Sequence, residues 1–574
     1  MEAIVGPTIF NHVMSAIKFV HSFAPLVRPS VVLVPSLLVE LTSSLASFVG
    51  MDEQTVCYTL GLFLAYPLGL VMLKLPFGLP RHVFSFLMGA FLLQYTIGVQ
   101  WIHHLVSSLA AYGLILALPL RKSKALVPAF AVLYCVLGHL HRQFLNYLGW
   151  DLDFTGPQMV LTIKLCSLAY NLYDGECLRD PGNNSRAANK CKKYALHEVP
   201  SLVEYLGYTF CFSNILAGPA YEYSIYRDAV EGEWRVEWSG VEWSGVEWRN
   251  LFLFFYKISN FSDSHFFIFF LLASHRSAPL PGKLLKNDKN APSSFLPTLK
   301  PFLVSLICMA MFVVGGAKFP ILDPSDPQHN SPPWVKAHLP FLKRYCYQWV
   351  ALFFCRQKYY FAWKNAEGAN NIWFAGYEGR DEDAKIIGWD HANNVDIVAF
   401  ETAPNIKICS AAWNKKTSNW LTRYVYMRTG GSLIATYSMS AFWHGFYPGY
   451  YMFFMSMPLL TACERVGRKK LSPVFSTGGK WSPWGIVTIL TTSFLGERAN
   501  RANLEEDETN IIPLNSNSNS NFEFASVWLA FSRVFRHAVP SAGVGVGGGD
   551  LEEPLFLRSH PLFWVSFGLR LVAE

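Results

Sequence analysis

Apolar runs long enough to cross a bilayer recur along most of this chain, and no other feature restricts its fold as much. A membrane-spanning helix needs about 20 mainly apolar residues, because every backbone N–H and C=O must be paired within the segment once water is absent. Such runs occupy 30–49, 56–73, 83–101, 104–120 and 125–140, then 158–173, 202–219, 302–317, 345–355, 431–447, 449–462 and 482–495. Several are short or carry a polar residue, which suits helices that are tilted, re-entrant or packed on neighbours. The expected fold is all-α: a polytopic transmembrane helical bundle of roughly nine to eleven membrane helices.

Composition agrees. Only 16% of the 574 residues are charged, where soluble domains carry about 25%. The net charge of +7 is too small for its size to argue for nucleic-acid binding, and basic loops on a cytosolic membrane face account for it. Three clusters follow apolar runs: Arg121, Lys122 and Lys124; Arg186, Lys190, Lys192 and Lys193; and Arg465, Arg468, Lys469 and Lys470. The positive-inside rule places all three in the cytosol. Asn183-Asn184-Ser185 fits a glycosylation sequon, but its basic neighbours argue for the cytosolic side. The 11 cysteines form no CxxC pair, so a zinc ribbon or disulfide framework is not expected. No basic n-region of a signal peptide opens the sequence; Glu2 precedes any Lys or Arg.

Two stretches read differently. Residues 236–250 are VEWSG-VEWSG-VEWRN, a five-residue repeat that leads into a Phe-rich run. Its period matches neither helix, strand nor solenoid. From about residue 496 the chain carries LEEDETN, NSNSNSN and GVGVGGG, which are compositionally flexible. Both stretches are expected to be insertions or gene-model artefacts; sequencing the transcript and finding both in the mature message would refute this.

Chemistry concentrates at 438–454, SMSAFWHGFYPGYYMFF. A histidine at membrane depth is costly unless paired, so His444 is a candidate functional residue. Burial disfavours the imidazolium and leaves a neutral ring able to accept a proton. Gly445 and Gly449 let another backbone or a substrate chain come close. From these residues alone, a histidine hydrogen-bonded across a helix interface for stability is the better explanation of the pattern.

The wording around His444 is more specific. Trp443-His444-Gly445, then Gly449-Tyr450 and Phe454, resembles the hallmark of the membrane-bound O-acyltransferase superfamily in its lysophospholipid acyltransferase branch. AAWNKKTSNWLTRYVYMR (411–428) is similar to that branch's Trp-Asn segment, with Asn414 on the family's asparagine and His444 on its histidine. KYYFAWKNAEGANN (358–371) and GWDHANNVDIVAFETAP (388–404), with its Trp389-Asp390 pair, continue the likeness. So do DFTGPQMVLTIKLCSLAYNLYDG (153–175), the stretch 199–223 and KPFLVSLICMAMFVVGGAKFP (300–320). The likeness covers about 125–230 and 295–470. Residues 1–230 are then the N-terminal helices of the family core, 231–290 an atypical insertion, 291–495 the C-terminal core with the active site, and 496–574 a divergent tail. The branch usually closes with a Tyr-Phe-x-x-His-like signature, of which SVWLAFSRVFRH (526–537) is at best a blurred echo.

The resemblance implies transfer of a fatty acyl group from acyl-CoA to the free hydroxyl of a lysophospholipid in the endoplasmic reticulum membrane. It makes His444 the general base. Asn414 either donates to the thioester carbonyl or orients His444 or the acceptor. It further implies substrate contacts at Trp413, Trp443, Gly445, Tyr447, Gly449, Tyr450, Trp389 and Asp390. Aromatic residues in such places ordinarily pack a core or sit in an interfacial belt. Lys415, Lys416 and Arg423 either attract CoA phosphates or form a solvated loop. Hydrogen-bonded helix packing is expected for Glu204 and Glu222. His139 and His141 are two residues apart and face different sides of a helix, so they share no metal. No cluster has metal-ligand spacing and no Walker or G-x-S-x-G motif occurs. No metal or cofactor is expected, with acyl-CoA the co-substrate. Rival readings are another acceptor (sterol, diacylglycerol or peptide) and a transporter or inactive scaffold. No duplicated halves support a transporter.

Overall fold

Helices form wherever the described chain carries a long apolar run. The computed structural model describes residues 34–145, 152–179, 186–232, 292–320, 340–379 and 386–471, besides the isolated Ser15. In order these hold α1 (Ser36–Val49), α2 (Glu53–Lys74), α3 (Leu79–Ile97), α4 (Trp101–Ala117), α5 (Leu120–Leu145), α6 (Thr155–Arg179), α7 (Arg186–Lys190), α8 (Leu202–Thr209) and α9 (Tyr223–Glu231). They continue with α10 (Phe295–Lys318), α11 (Phe341–Ile372), α12 (Ile397–Glu401), α13 (Ile406–Ala412), α14 (Lys415–Trp420), α15 (Leu433–His444) and α16 (Pro448–Leu471). Among the described residues no strand exceeds a single bridge, so the chain is all-α as expected. The span at 482–495, the tail at 496–574 and all but the first two residues of the insertion at 231–290 lie outside the described residues.

Four helical stretches here are long and apolar enough to cross a membrane: Glu53–Lys74, Leu79–Ala117, Leu120–Phe144 and Phe295–Lys318. The longest, 39 residues, joins α3 and α4. Other runs fold into pieces too short or too polar to meet that standard. Residues 202–219 give only the eight-residue α8, and 431–447 only the 12-residue α15. The 25-residue α6 buries Gln158, Lys164, Asn171 and Asp174. Non-spanning pieces at membrane depth are tolerated when protein surrounds them.

The exterior is apolar where lipid would lie. On α10 the buried residues are Pro301, Ser305, Cys308 and Gly315, whereas Leu303, Ile307, Val313 and Val314 face outward. Small residues inward and large apolar ones outward is the membrane pattern, since lipid tails reward burial of Leu no more than a protein core does. Close helix approach is obligatory at one position in α3. A Cβ on Gly89 would collide with the carbonyl of Phe210, just past α8.

Buried polar groups tie the two halves of the sequence together. Lys164, fully buried in α6, donates to Tyr208 O and Asn214 Oδ1, both at 2.8 Å. Asp174, also fully buried, receives both guanidinium arms of Arg428 at 2.8 and 2.6 Å. Glu222 pairs with Arg423, and its other oxygen accepts from Asn171 Nδ2 at 2.8 Å and Tyr424 at 3.0 Å. Removing one partner of such a pair strands the other charge out of water, at a cost of about 3–5 kcal/mol. Asp174→Asn should therefore lower the unfolding midpoint in detergent markedly. Arg428→Lys, which loses the two-armed contact but keeps the charge, should fall between it and the parent.

Candidate active site

His444 is the last residue of α15, and the chain turns away at once through Gly445, whose φ is +115°. Only glycine adopts this backbone without strain. The turn is also tight, since a Cβ on Gly445 would sit 3.3 Å from the ring of His139 in α5. His139 Nε2–H donates to Trp443 O at 3.1 Å, so α5 supports the end of α15 directly. The Trp443 indole N–H is satisfied by Met159 O of α6 at 2.9 Å. The His444 ring lies among Trp443, Phe454 and Tyr450, with centroids 4.7, 4.8 and 5.5 Å away. Tyr447 packs on Tyr450 at 6.3 Å, and Gly449 is buried in the first turn of α16.

One hydrogen bond fixes the chemistry of this imidazole. His444 Nδ1 lies 2.7 Å from Ser440 O. A carbonyl can only accept, so Nδ1 carries the proton and Nε2 keeps its lone pair. A neutral ring with a free Nε2 is what a general base requires.

Asn414 precedes α14 in the left-handed conformation, φ 45° and ψ 50°. Asparagine tolerates it better than most residues. Its side chain does not cap the helix. Asn394 sets its orientation instead: Asn394 Oδ1 accepts from Lys416 N at 3.0 Å, so Asn394 Nδ2 is the donor that reaches Asn414 Oδ1 at 3.1 Å. Asn414 Nδ2 is thereby left as its outward donor. Asn394 is the residue that motif reading missed; it lies in the Asn-Val-Asp-Ile wording but 20 residues from the asparagine it aligns. His139 was likewise considered only as a metal ligand.

The remaining motif residues mostly support these two. Trp413 is enclosed by Phe400 at 4.8 Å and Trp363 at 4.9 Å. Trp389 packs on Tyr377 and Phe374. Asp390 accepts from Lys415 Nζ at 2.8 Å, and its carbonyl accepts from Lys416 Nζ at 2.6 Å, so it anchors the segment that follows Asn414. The half-exposed Asp390–Lys415 pair adds little stability on its own. Asn414 and His444 share no hydrogen bond. They are linked through α14, whose Trp420 packs on Trp443 at 6.3 Å.

A cavity of about 140 Å³ is lined in part by Trp420. Its basic groups are Lys193, Lys416, Arg423 and His391, facing Glu222, Glu378 and Asp390. Arg423 is already neutralised by Glu222 and lies over the Tyr194 ring. Burial, then the charges of Lys416 and Lys193, push the His391 imidazole down to about 4 and keep it neutral. Burial pushes the Lys416 amine down to about 8. Ile163 and Ser167 of α6 line this cavity, and Met159, one turn earlier, holds Trp443. At 1.5 Å per residue, Ile163 and Ser167 stand about 6 and 12 Å along α6 from the residue that holds Trp443.

The described chain is an all-helical bundle with an apolar exterior, with His444 at the C-terminal end of α15 and Asn414 at the N-terminal end of α14. The chain belongs to the membrane-bound O-acyltransferase family, whose profile matches residues 143–282 and 283–495. It is thus a multi-pass membrane protein and an O-acyltransferase. It is 29% identical to lysophospholipid acyltransferase 1 of Arabidopsis thaliana over 437 residues, 74% of this chain and 81% of that protein. It is 28% identical over 449 residues to the lysophospholipid acyltransferase of Schizosaccharomyces pombe, 75% of each chain. Membrane-bound glycerophospholipid O-acyltransferase 2 of Mus musculus is 28% identical over 398 residues, 69% of this chain and 67% of the relative.

The geometry predicts a sharp response at Gly445. Gly445→Ala places a β-carbon against His139 and adds about 1–3 kcal/mol of backbone strain. Acyl transfer and the unfolding midpoint in detergent should both drop.

Proposed function

We propose that the protein transfers a fatty acyl chain from acyl-CoA to the free hydroxyl of a lysoglycerophospholipid. The observation that carries this reading is the His444 Nδ1–H bond to Ser440 O, which leaves Nε2 as an unprotonated base. Nε2 takes the proton of the lysolipid hydroxyl as its oxygen attacks the thioester carbonyl. Asn414 Nδ2–H donates to the carbonyl oxygen as negative charge builds there. The C–S bond then breaks, CoA leaves as the thiolate, and the imidazolium returns its proton. The names of the relatives support the lysolipid acceptor. The family's membrane setting favours the endoplasmic reticulum.

The cavity beside Trp420 suits the phosphates of the donor. Lys193 belongs to the basic cluster that the positive-inside rule places in the cytosol, where acyl-CoA is found. Lys416 shares that cavity with it. The cavity's α6 residues stand only about 6–12 Å along that helix from the residue that holds Trp443, so a donor anchored there would lie near the His444 turn.

Four measurements test the reading. Microsomes carrying the protein, given labelled acyl-CoA and a panel of lysophosphatidylcholine, lysophosphatidylethanolamine, lysophosphatidylserine, lysophosphatidate, diacylglycerol and sterol, should acylate lysolipids; activity confined to neutral lipids would overturn it. His444→Ala should cut turnover by about 10²–10⁴-fold with the chain still inserted. Asn414→Asp keeps a residue at ease in the left-handed backbone but loses the donor, and should cost about 10²–10³-fold. Full activity in either variant refutes its assigned role.

The fourth measurement is the pH dependence of donor binding. Burial lowers the Lys416 amine to about 8, so its charge is lost as pH rises through that value. Attraction for CoA phosphates therefore weakens above that pH. KM for acyl-CoA should rise between pH 7 and 9 in the parent protein, and the rise should flatten in Lys416→Gln. An unchanged profile in that variant would remove Lys416 from the donor site.

A further inference from the structure

His139, half-buried in α5, grips the chain on both sides of His444. Its Nε2 lies 3.1 Å from Trp443 O. The opposite edge of the ring, at Cγ and Nδ1, lies 3.3 Å from where a β-carbon on Gly445 would sit. A carbonyl only accepts, so Nε2 carries the ring hydrogen. Cys135 Sγ, one turn back in α5, is 3.5 Å from the same nitrogen. Sulfur is a weak acceptor, so the carbonyl takes the hydrogen. The His444 ring spends its own Nδ1 hydrogen on Ser440 O.

That division of hydrogen bonds matters because α15 has only 12 residues and ends at His444. The bond to Ser440 O fixes the His444 ring relative to α15, but it does not fix α15 relative to its neighbours. Two hydrogen bonds to Trp443 do so, one to its carbonyl from His139 and one from its indole N–H to Met159 O of α6 at 2.9 Å. The α5 side of this clamp is itself firmly backed. A Cβ on Gly138 would lie 3.1 Å from the ring of Phe154, just before α6. His103 of α4 stacks on that same ring at 3.9 Å. Interiors packed this closely resist small displacements, so His139 stands on a fixed base.

We propose that His139 is a positioning residue for acyl transfer: by holding the Trp443 carbonyl and closing over Gly445, it sets where His444 Nε2 meets the acceptor hydroxyl. This rests on His444 being the general base. Such a base must come within about 2.6–3.2 Å of the oxygen whose proton it takes. A misplacement of about 1 Å can cost about 10²-fold in rate. The residue type suits the task. Lysine or arginine could also donate to Trp443 O, but either would set a positive charge beside the imidazolium that forms on His444 and oppose it. Serine and threonine are too short to span from α5. A neutral imidazole donates across the gap without that charge, and its flat edge fits against a glycine.

Kinetics of the full chain in detergent, normalised to folded protein, test this. His139→Gln keeps an N–H the same number of bonds from Cα and should retain most of the turnover. His139→Asn carries the same amide one bond shorter, and His139→Met fills the volume with no donor; each should lose about 10²-fold in kcat. KM for acyl-CoA should stay at the parent value in all three, since a residue needed only for packing would lower the folded fraction rather than kcat alone. In a His444→Ala background, His139→Asn should add little further loss, because the group it positions is gone. Parent-like kcat in folded His139→Asn or His139→Met would overturn the role. So would a loss in His139→Gln as deep as in His139→Asn, or a full further loss in the His444→Ala background. Full activity of His444→Ala would instead overturn the base assignment itself, and with it this role, so the two failures are told apart.

Discussion

Two buried carboxylates on the N-terminal half, Asp174 and Glu222, decide how the C-terminal half sits. Taken out of water alone, each would cost several kcal/mol, so each demands a cation and further donors. Arg428 and Arg423 provide them from about 200 to 250 residues away, within the short irregular stretch that continues α14. Arginine suits both roles: its planar fork meets Asp174 with two parallel bonds, which a lysine cannot do. Tyr424, between the arginines, joins the same network, its one hydroxyl hydrogen shared between Asn171 Oδ1 at 2.7 Å and Glu222 at 3.0 Å. The stretch is thereby fixed on α6. Asn414 lies upstream, held by Asn394 and by the Asp390–Lys415 pair, while Trp420 packs on Trp443. The placement of Asn414 relative to His444 thus descends from where two carboxylates found their counter-charges.

Most of the helical fold and the candidate pair His444 and Asn414 were legible in the sequence, for different reasons. Apolar length is a local property, so α2, α3, α4, α5 and α10 fall where hydropathy puts them. The runs at 202–219 and 431–447 mislead because an apolar stretch packed on protein need not be helical throughout. His444 and Asn414 were legible through wording shared with a family rather than through their surroundings. Their partners were not. Ser440 is four residues from His444, but only the folded helix shows that its carbonyl takes the Nδ1 proton. Asn394, His139, Glu222 and Arg423 act across sequence separations that no periodicity encodes. Asp390 illustrates the difference: the resemblance marks the residue, and only the fold shows that it accepts from the Lys415 and Lys416 side chains.

The proposed reaction also explains why its base stands at a helix end. A base in a water-poor bundle must be neutral at rest, yet it becomes an imidazolium as the hydroxyl proton arrives. Burial favours the first state and penalises the second. The C-terminus of α15 offsets that penalty. Its unpaired carbonyls carry a partial negative charge, typically worth about 0.3–1 kcal/mol to a nearby cation and up to about 2 kcal/mol when partly buried. The Nδ1–H bond to Ser440 O strengthens in the same step, since a charged donor makes a bond roughly twice as strong. Gly445 is what allows this arrangement, because its φ of +115° ends the helix at the histidine and brings the chain past His139. Moving the histidine a turn earlier into α15 would keep it buried while removing it from the helix terminus. The same ring would remain neutral at rest but lose the support its charged form requires.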